Sequence, residues 1–282
     1  MADAGIARYY DRLNRWNETA RLVGYGGGRE RLTVHRALAD PAADGAATTT
    51  RLHDLLLSVL PPRTAPRVLD AGCGLGGTML MLAERLGADV TGVTLSESQA
   101  RTARHAIHDA GLDARVRVHV QSYDTPPPGP FDVVIALESL AHSPSPGASV
   151  TALVSTLAPA GTLVIVDDMP QAEAGDDPDL ARFKHGWRSP VVWRADQYVA
   201  HLTALGLTVV EQRDLSGDVR PRPVWRIGVL EALNRLAALW PSAALREVMD
   251  SHMGGLALER LSRRGLMRYR LLVARRPAAP LS

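Results

Sequence analysis

The most constraining feature of this chain is a short apolar run that leads through an acid into a glycine-dense turn. Residues 67–77 contain Val68, Leu69, Asp70 and four glycines, and an apolar stretch follows at 78–86. Glycine allows positive φ angles and a close approach of the backbone to a ligand, and the N-terminus of a following helix presents unpaired N–H groups. The segment therefore predicts a parallel strand that ends at a nucleotide-type ligand and turns sharply into a helix.

The same turn satisfies the GxGxxG pattern of dinucleotide-binding domains at Gly72, Gly74 and Gly77. Asp70 argues against a dinucleotide, because its carboxylate would repel a pyrophosphate and could instead bind an amine or another cation. The dinucleotide pattern also has an acid about 20 residues further on, at the end of the second strand, where this chain has Thr94. We therefore expect a different ligand, with a turn of purely structural use as the alternative.

Beyond this turn, short apolar runs alternate with amphipathic stretches, which is the pattern of a doubly wound α/β fold. We predict a Rossmann-like, mostly parallel sheet of seven strands with a helical cap or lid. The predicted strands lie near 67–70, 89–93, 116–120, 131–136, 161–167, 207–213 and 269–275. The predicted helices include 76–86, 96–110 and 149–157.

Two parts of the chain do not fit this core sheet. The first part is residues 1–50, which are predicted to form an N-terminal helical lid. The second part is a pair of cap insertions, near 168–203 and 218–265, within the single domain predicted for residues 51–282. Aromatic residues make up only 5% of the chain, yet several lie in or beside these insertions. They suggest an apolar wall for a bulky ligand, and packing within the cap explains the same residues equally simply. These residues are Phe183, Trp187, Trp193, Trp225 and Trp240.

The composition excludes several classes of partner and site. Lys and Arg number 32 against 30 Asp and Glu, and this net charge of +2 is too balanced to predict a nucleic-acid partner. Cys73 is the one cysteine, which excludes an intrachain disulfide and a cysteine-based zinc cluster, and we expect no metal site. No apolar run approaches the roughly 18 residues of a membrane span, and the first residues lack a signal-peptide pattern. We expect a cytoplasmic protein.

The segment 68–77 resembles the glycine-rich motif of the class I S-adenosylmethionine-dependent methyltransferases, and in particular of their small-molecule branch. The resemblance implies a Rossmann-like fold, S-adenosylmethionine as the cofactor and a small molecule as the methyl acceptor. It also implies that Asp70 and the loop of Gly72, Cys73 and Gly74 hold the amino-acid part of the cofactor.

A second segment, 92–96 together with Gln99, is similar to the variant found in tocopherol-type and cyclopropane-synthase-type members of this family. The resemblance implies that Thr94, Leu95 and Gln99 contact the ribose and methionine moieties. These residues stand in place of the acid that usually binds the ribose.

A third segment, 121–124, falls where the family places its adenine-binding loop. The resemblance implies that Tyr123 packs on the adenine ring and that Ser122 or Asp124 accepts a hydrogen bond from the adenine amino group. Upstream, Tyr25 precedes three glycines and is similar to a turn that closes over the cofactor in small-molecule methyltransferases. A flexible loop is the alternative for Tyr25.

A fourth segment, 131–144, is the predicted fourth strand and its following loop. Within it, residues 137–142 are similar to the loop of sugar O-methyltransferases that finish glycosylated natural products. The resemblance implies that Leu137 lies at the cofactor. It further implies that His142 acts as a base together with an aspartate at the end of the fifth strand, where this chain has Asp167.

Methyl transfer to an alcohol requires such a base, because the hydroxyl is too weak an acid to ionise first. A histidine with a pKa near 6.5 can take the proton, and a carboxylate on its other nitrogen fixes the tautomer and supports the imidazolium. Asp168 leaves the choice of carboxylate open. The alternative for His142 is a loop histidine bound by backbone groups. The alternative for Asp167 is a helix or turn cap for the loop 169–179.

The leading prediction is an S-adenosylmethionine-dependent O-methyltransferase that acts on a hydroxyl of a small natural-product-type metabolite. The runner-up is methylation of a prenyl or other electron-rich carbon, since Glu138 matches a carboxylate that cyclopropane-synthase relatives use. A third possibility is a cofactor-binding cyclase or partner protein that transfers no methyl group. Relatives of these kinds are often dimers, so a homo-oligomer is a further expectation.

Overall fold

The computed structural model describes residues 5, 8, 11, 32–33, 35–41, 47–219, 227–229, 231–232 and 243–278. Its centre is a sheet of seven strands. They are β3 (Arg67–Ala71), β4 (Asp89–Thr94), β5 (Val116–Val120), β6 (Phe131–Leu137), β7 (Leu157–Pro170), β8 (Thr208–Asp214) and β9 (Met267–Arg275). Across the sheet these strands lie in the order β5-β4-β3-β6-β7-β9-β8. A separate antiparallel pair, β1 (Leu38–Ala39) and β2 (Ala47–Thr48), precedes them.

The helices lie between and after the strands. They are α1 (Thr50–Val59), α2 (Gly77–Leu86), α3 (Glu97–Asp109), α4 (Pro146–Ser155), α5 (Pro178–Gly186), α6 (Ala195–Ala204) and α7 (Ala243–Arg263), with short 3₁₀ turns at Leu140–His142 and Ala172–Ala174. Within the described residues, no helix combines the length and the hydropathy that a bilayer span requires.

The first five strands of the sheet run parallel, and β9 runs antiparallel to both β7 and β8. All seven predicted strands are present, and the predicted Rossmann-like, mostly parallel fold is confirmed. The largest difference is at β7, which extends to Leu157–Pro170 where the apolar run predicted only 161–167. Pairing with β9 continues to Pro170, opposite Met267, and so carries the strand beyond its apolar part.

The two faces of the sheet bury alternate residues of each strand, as the two-residue repeat of a strand requires. Val68 packs in the cluster that covers α1, α2 and α3. Its neighbour Leu69 packs in the cluster that covers α4 and α6, with Leu153 and Leu202. Because both faces are covered, the central strands read as continuous apolar runs.

The helix α6 belongs to this second face, although its residues fall within the predicted cap insertion 168–203. Tyr198 and Leu202 of α6 are buried against the sheet, which shows that this insertion contributes to the core. A third cluster joins α5 to α7 through Phe183, Ala257 and Leu261. We call α5 and α7 the cap pair. Trp225 and Trp240 lie outside the described residues, as does most of the predicted lid at 1–50.

Candidate functional site

A cavity of about 300 Å³ lies at the carboxyl ends of β3, β4 and β6, the position at which open α/β sheets bind ligands. It brings together every described residue for which cofactor contact was predicted. These are Asp70, Gly72, Cys73, Gly74, Thr94, Leu95, Gln99, Ser122, Tyr123, Asp124 and Leu137. Of the three predicted catalytic residues, Glu138 and His142 also line the cavity. Tyr25 lies outside the described residues.

The glycine turn forms one wall of this cavity. Gly72 and Gly74 have φ angles of +99° and +52°, in the region that favours glycine. The N–H groups of Gly72 and Cys73 both donate to the carbonyl oxygen of Val93, at 3.0 and 2.9 Å. A Cβ atom at Gly72 would lie 2.5 Å from Cβ of Ser139, so the turn lies in direct contact with the loop that follows β6.

Asp70 places a buried carboxyl group at this wall. Its side chain is only 3% exposed, and burial raises its pKa to about 7. A carboxylate in such surroundings is stabilised by a cation or by N–H donors. The turn therefore suits a ligand that carries an ammonium group.

The end of β4 supplies a second wall, in which Gln99 is held at both its backbone and its side chain. Thr94 Oγ1 donates to Gln99 Oε1 at 2.8 Å, and Gln99 N donates to Ser96 Oγ at 3.1 Å. Because the amide oxygen of Gln99 is engaged, its NH₂ group is the part that can donate to a ligand. Asp11 also binds here and accepts from Ser98 N at 3.2 Å at the N-terminus of α3, where a negative charge is favourable.

The loop after β5 forms the third wall and is tied to its neighbours by side-chain hydrogen bonds. Tyr123 Oη donates to the carbonyl oxygen of Ser139 at 3.0 Å. Asp124 Oδ1 accepts from Ser149 Oγ, which in turn lies 2.6 Å from Ser143 Oγ. This chain of hydroxyls connects the predicted adenine loop with the loop that carries His142.

His142 lies on the 3₁₀ turn after β6 and is 8% exposed. Burial lowers its pKa to about 4, while hydrogen bonds with the backbone of Trp187 and Arg188 act in the opposite direction. The imidazole is therefore neutral at pH 7. A neutral imidazole can accept a proton.

Asp167 lies beneath the loop that carries His142. Its Oδ2 accepts from the N–H of Ala141 at 3.1 Å, and its Oδ1 accepts from the N–H of Asp168 at 2.9 Å. Burial raises the pKa of Asp167 to about 8, and the nearby carboxylates of Asp168 and Glu138 add to this effect. Asp167 thus fixes the backbone beside His142 through Ala141.

Asp168, the other carboxylate considered as a partner for His142, is engaged elsewhere. The guanidinium of Arg36 donates to Asp168 Oδ2 at 2.8 Å. Burial raises the pKa of Asp168 to about 6, against the effect of Arg36, which lowers it. This pairing leaves Asp167 as the carboxylate next to the His142 loop.

Glu138 has an unusual backbone and a well-defined carboxylate. Its φ angle is +51°, which is uncommon for a residue other than glycine and concentrates at functional sites. Glu138 Oε1 accepts from the backbone N–H of Arg36 and from Tyr269 Oη, both at 2.7 Å. Two residues distant in sequence therefore orient this carboxylate at the cavity wall.

Several cavity-lining residues could not be found from the sequence, and two of them, His35 and Thr78, lie against His53 of α1. His35 Nε2 lies 3.0 Å from His53 Nε2, and His53 Nε2 lies 3.3 Å from Thr78 Oγ1. Burial lowers the pKa of both histidines, that of His53 to about 4. No motif signals this pair, because it forms only when the segment before β1 folds over α1 and α2. At the other end, Trp187 and Ser251 of the cap line the cavity.

Comparison with known proteins identifies the family of this chain. Residues 45–212 match the family described as "Methyltransferase domain". The 27-O-demethylrifamycin SV methyltransferase of Amycolatopsis mediterranei is 33% identical over 84% of this chain and 87% of its own length. The tocopherol O-methyltransferase of Arabidopsis thaliana is 28% identical over 75% of this chain and 63% of its own length.

Among solved structures, the [4+2]-cyclase SpnF superposes with a TM-score of 0.76 at 23% identity, over 97% of this chain and 96% of its own. At this level of identity the match shows a shared fold. Other matching proteins have names that describe C-methyl transfer. Taken with the family match over more than half of the chain, these relatives confirm the family resemblance: the chain belongs to the methyltransferase domain family and is an S-adenosylmethionine-dependent methyltransferase.

Proposed function

We propose that this cavity holds S-adenosylmethionine and that the chain transfers the methyl group to a hydroxyl of a small natural-product-type metabolite, with His142 as the proton acceptor. The proposal is carried by the similarity of this chain to one relative, which is 33% identical over 84% of the chain. The name of that relative describes methylation at an oxygen of a rifamycin. The neutral, buried His142 in the same cavity is the matching chemical feature.

The cavity walls suit the parts of this cofactor. Asp70 would bind the ammonium group, and the turn of Gly72, Cys73 and Gly74 allows close approach of the amino-acid part. The side chain of Gln99, which Thr94 holds through its amide oxygen, presents its NH₂ group as a hydrogen-bond donor beside the amino-acid part. On the opposite side, Ser122, Tyr123 and Asp124 would surround the adenine, and Leu95 and Leu137 supply apolar contact. When bound, the cofactor supplies an activated methyl group on a sulfonium.

The residues of this chain would then contribute alignment and proton removal. Alignment of two reactants in a closed cavity is worth up to about 7–11 kcal/mol in favourable intramolecular cases. His142 would take up the acceptor's proton as the cavity loses the positive charge of the cofactor. The net charge of the buried site then stays the same, which offsets the low basicity that burial imposes on His142.

Asp167 is the proposed partner of this histidine. It holds the loop through the N–H of Ala141. Burial raises its pKa to about 8, and the positive charge of an imidazolium at His142 would favour its ionised form. Asp168 is less suited, because its carboxylate is paired with Arg36.

Methylation at carbon is the second candidate, and Glu138 supports it. A carboxylate that Arg36 and Tyr269 hold at the cavity wall could stabilise a cation that forms on an alkene during methyl addition. In this reaction the methyl acceptor is a carbon, so His142 would not remove a proton from a hydroxyl group. The position of the transferred methyl group therefore separates the two candidates.

The test is incubation of the purified protein with methyl-labelled S-adenosylmethionine and a panel of acceptors. The panel contains a demethylated rifamycin, glycosides, phenols and prenylated compounds, and mass spectrometry and NMR locate the label. Label on oxygen supports the proposal. Label on carbon alone replaces it with the second candidate, and binding of cofactor without transfer to any member of the panel contradicts the proposal for these acceptor classes.

A further inference from the structure

The imidazole of His142 is enclosed by the turn that follows α5. Backbone groups of Trp187 and Arg188 hydrogen-bond with its ring, and His142, Trp187 and Ser251 line the same cavity. The orientation of the ring therefore depends on where the cap places two consecutive residues. These residues are distant in sequence from the 3₁₀ turn that carries His142.

The turn is fixed to α7 by unusually close packing between glycines. A Cβ atom at Gly186 would lie 2.8 Å from Cα of Gly254, and a Cβ atom at Gly254 would lie 2.9 Å from Cδ1 of Trp187. Distances under about 3 Å are not accommodated without a shift of one partner. The cap pair thus meets backbone to backbone, with the Trp187 indole packed directly on α7.

Three further features show that the turn is held in place. Trp187 Nε1 donates to the carbonyl oxygen of Ser251 at 3.2 Å. Arg188 has a φ angle of +53°, a conformation that non-glycine residues keep only where the surroundings require it. Phe183 packs on the same indole, with ring centroids 5.2 Å apart.

We propose that Trp187 is a positioning residue for His142: its indole, anchored on Ser251 and packed on Gly254, sets the turn whose backbone orients the imidazole for proton transfer. The inference rests on the proposed function, since it takes His142 as the proton acceptor. It makes the orientation of the base depend on the packing of α5 against α7. Proton transfer would then occur only where the cap also excludes water.

The test compares Gly254→Ala with Gly255→Ala, which place the same methyl group at neighbouring positions of α7. A Cβ atom at Gly255 lies 3.7 Å from Trp187 Nε1, an ordinary contact, whereas the one at Gly254 meets Trp187 at 2.9 Å. Both changes replace glycine within one helix, so they have the same effect on helix propensity. Only Gly254→Ala displaces the turn.

Two measurements are made on each variant. The first is an NMR titration of the His142 ring, assigned by comparison with His142→Gln. Wild type and Gly255→Ala should titrate near pH 4, whereas water that enters beside a displaced turn should move the Gly254→Ala titration toward 6.5. The second is kcat at saturating substrates together with the affinity for S-adenosylhomocysteine. Gly254→Ala should lower kcat about tenfold or more, with affinity within about twofold of wild type.

Trp187→Phe provides a second variant if Gly254→Ala fails to fold. It keeps an aromatic ring and removes the indole N–H that binds Ser251, and should shift the titration and kcat in the same directions. A folded variant with wild-type titration and kcat would overturn the positioning role while leaving the proposed function intact. Wild-type kcat in His142→Gln would instead overturn the base assignment, and the positioning role with it.

Discussion

The guanidinium of Arg36 lies 2.8 Å from the carboxylate of Asp168 and joins the segment before β1 to the end of β7. The same guanidinium lies 5.4 Å from the ring centroid of Tyr269, and the backbone N–H of Arg36 binds Glu138. One residue outside the sheet therefore organises charged and polar groups from three strand ends. This arrangement makes the cavity dependent on a segment that carries no recognisable motif.

Removal of Arg36 should destabilise the protein in a pH-dependent manner. Breaking a buried pair costs about 3–5 kcal/mol when the remaining charge stays ionised. Burial raises the pKa of Asp168 to about 6 even beside Arg36, so in Arg36→Ala this carboxyl binds a proton more readily. The loss of unfolding free energy should therefore be larger at pH 8 than at pH 6, as measured by denaturant unfolding.

The control for this prediction is Arg104→Ala. It removes an ion pair with Glu97 in which both side chains are about half exposed, together with one hydrogen bond to the carbonyl oxygen of Val118. Such pairs contribute about 0–1 kcal/mol, with little change between the two pH values. Adding Asp168→Asn to Arg36→Ala should restore part of the stability at pH 8. An equal loss at both pH values would contradict the assigned pairing.

Affinity for S-adenosylhomocysteine should rise with pH through about 7. Asp70 has a pKa raised to about 7 by burial, so the fraction ionised increases about tenfold between pH 6 and pH 8. Only the carboxylate form pairs with the ligand ammonium, and the affinity should follow that fraction. Isothermal titration calorimetry at the two pH values measures the effect.

Two comparisons isolate the contribution of Asp70. The ligand 5′-methylthioadenosine lacks the amino-acid part, and its affinity should be flat over the same range. Asp70→Asn should bind S-adenosylhomocysteine more weakly and without the rise. If 5′-methylthioadenosine shows the same pH dependence, a group other than Asp70 is responsible.

Replacement of His142 by Gln should lower kcat by about 10²–10⁴, the usual contribution of a general base. Because burial lowers the pKa of His142 to about 4, the wild-type imidazole stays neutral from pH 8 down to about 5, and the acid limb of kcat should lie near pH 4. Affinity for S-adenosylhomocysteine should change little. His105→Gln, an exposed change on α3, should leave kcat at the wild-type value.

Gly72→Ala should impair both folding and cofactor binding. The φ angle of +99° is unfavourable for alanine, and the added Cβ would lie 2.5 Å from Cβ of Ser139. We expect a loss of about 1–3 kcal/mol in unfolding free energy and a clear drop in affinity for S-adenosylhomocysteine. The control is Gly111→Ala, because Gly111 has a φ angle of +67° and nothing lies within 4 Å of an added Cβ. This variant should lose stability but keep its affinity for S-adenosylhomocysteine. Equal affinities in the two variants would argue against a role of the turn in binding.

The positions of the strands along the chain and the place of the glycine turn follow from local patterns. Each central strand is buried on both faces and therefore appears as an apolar run, and the turn after β3 needs glycine wherever φ is positive. The motif residues Asp70, Thr94 and Leu137 lie at the carboxyl ends of adjacent parallel strands, and this geometry brings them to one cavity. The resemblance of short motifs was sufficient to identify the family.

The contacts that set the chemistry of the cavity depend on tertiary structure. Three such contacts join segments that are far apart in sequence. They are the packing of α6 on the sheet, the ion pair of Asp168 with Arg36, and the hydrogen bonds of His142 with the turn after α5. No periodicity or spacing signals these contacts, because each forms only after helices and strands pack. The sequence alone thus determined the fold, the family and the edge of the sheet where the cavity lies. Packing decided which carboxylates are paired and which groups face His142, because burial and charge partners exist only in the folded chain.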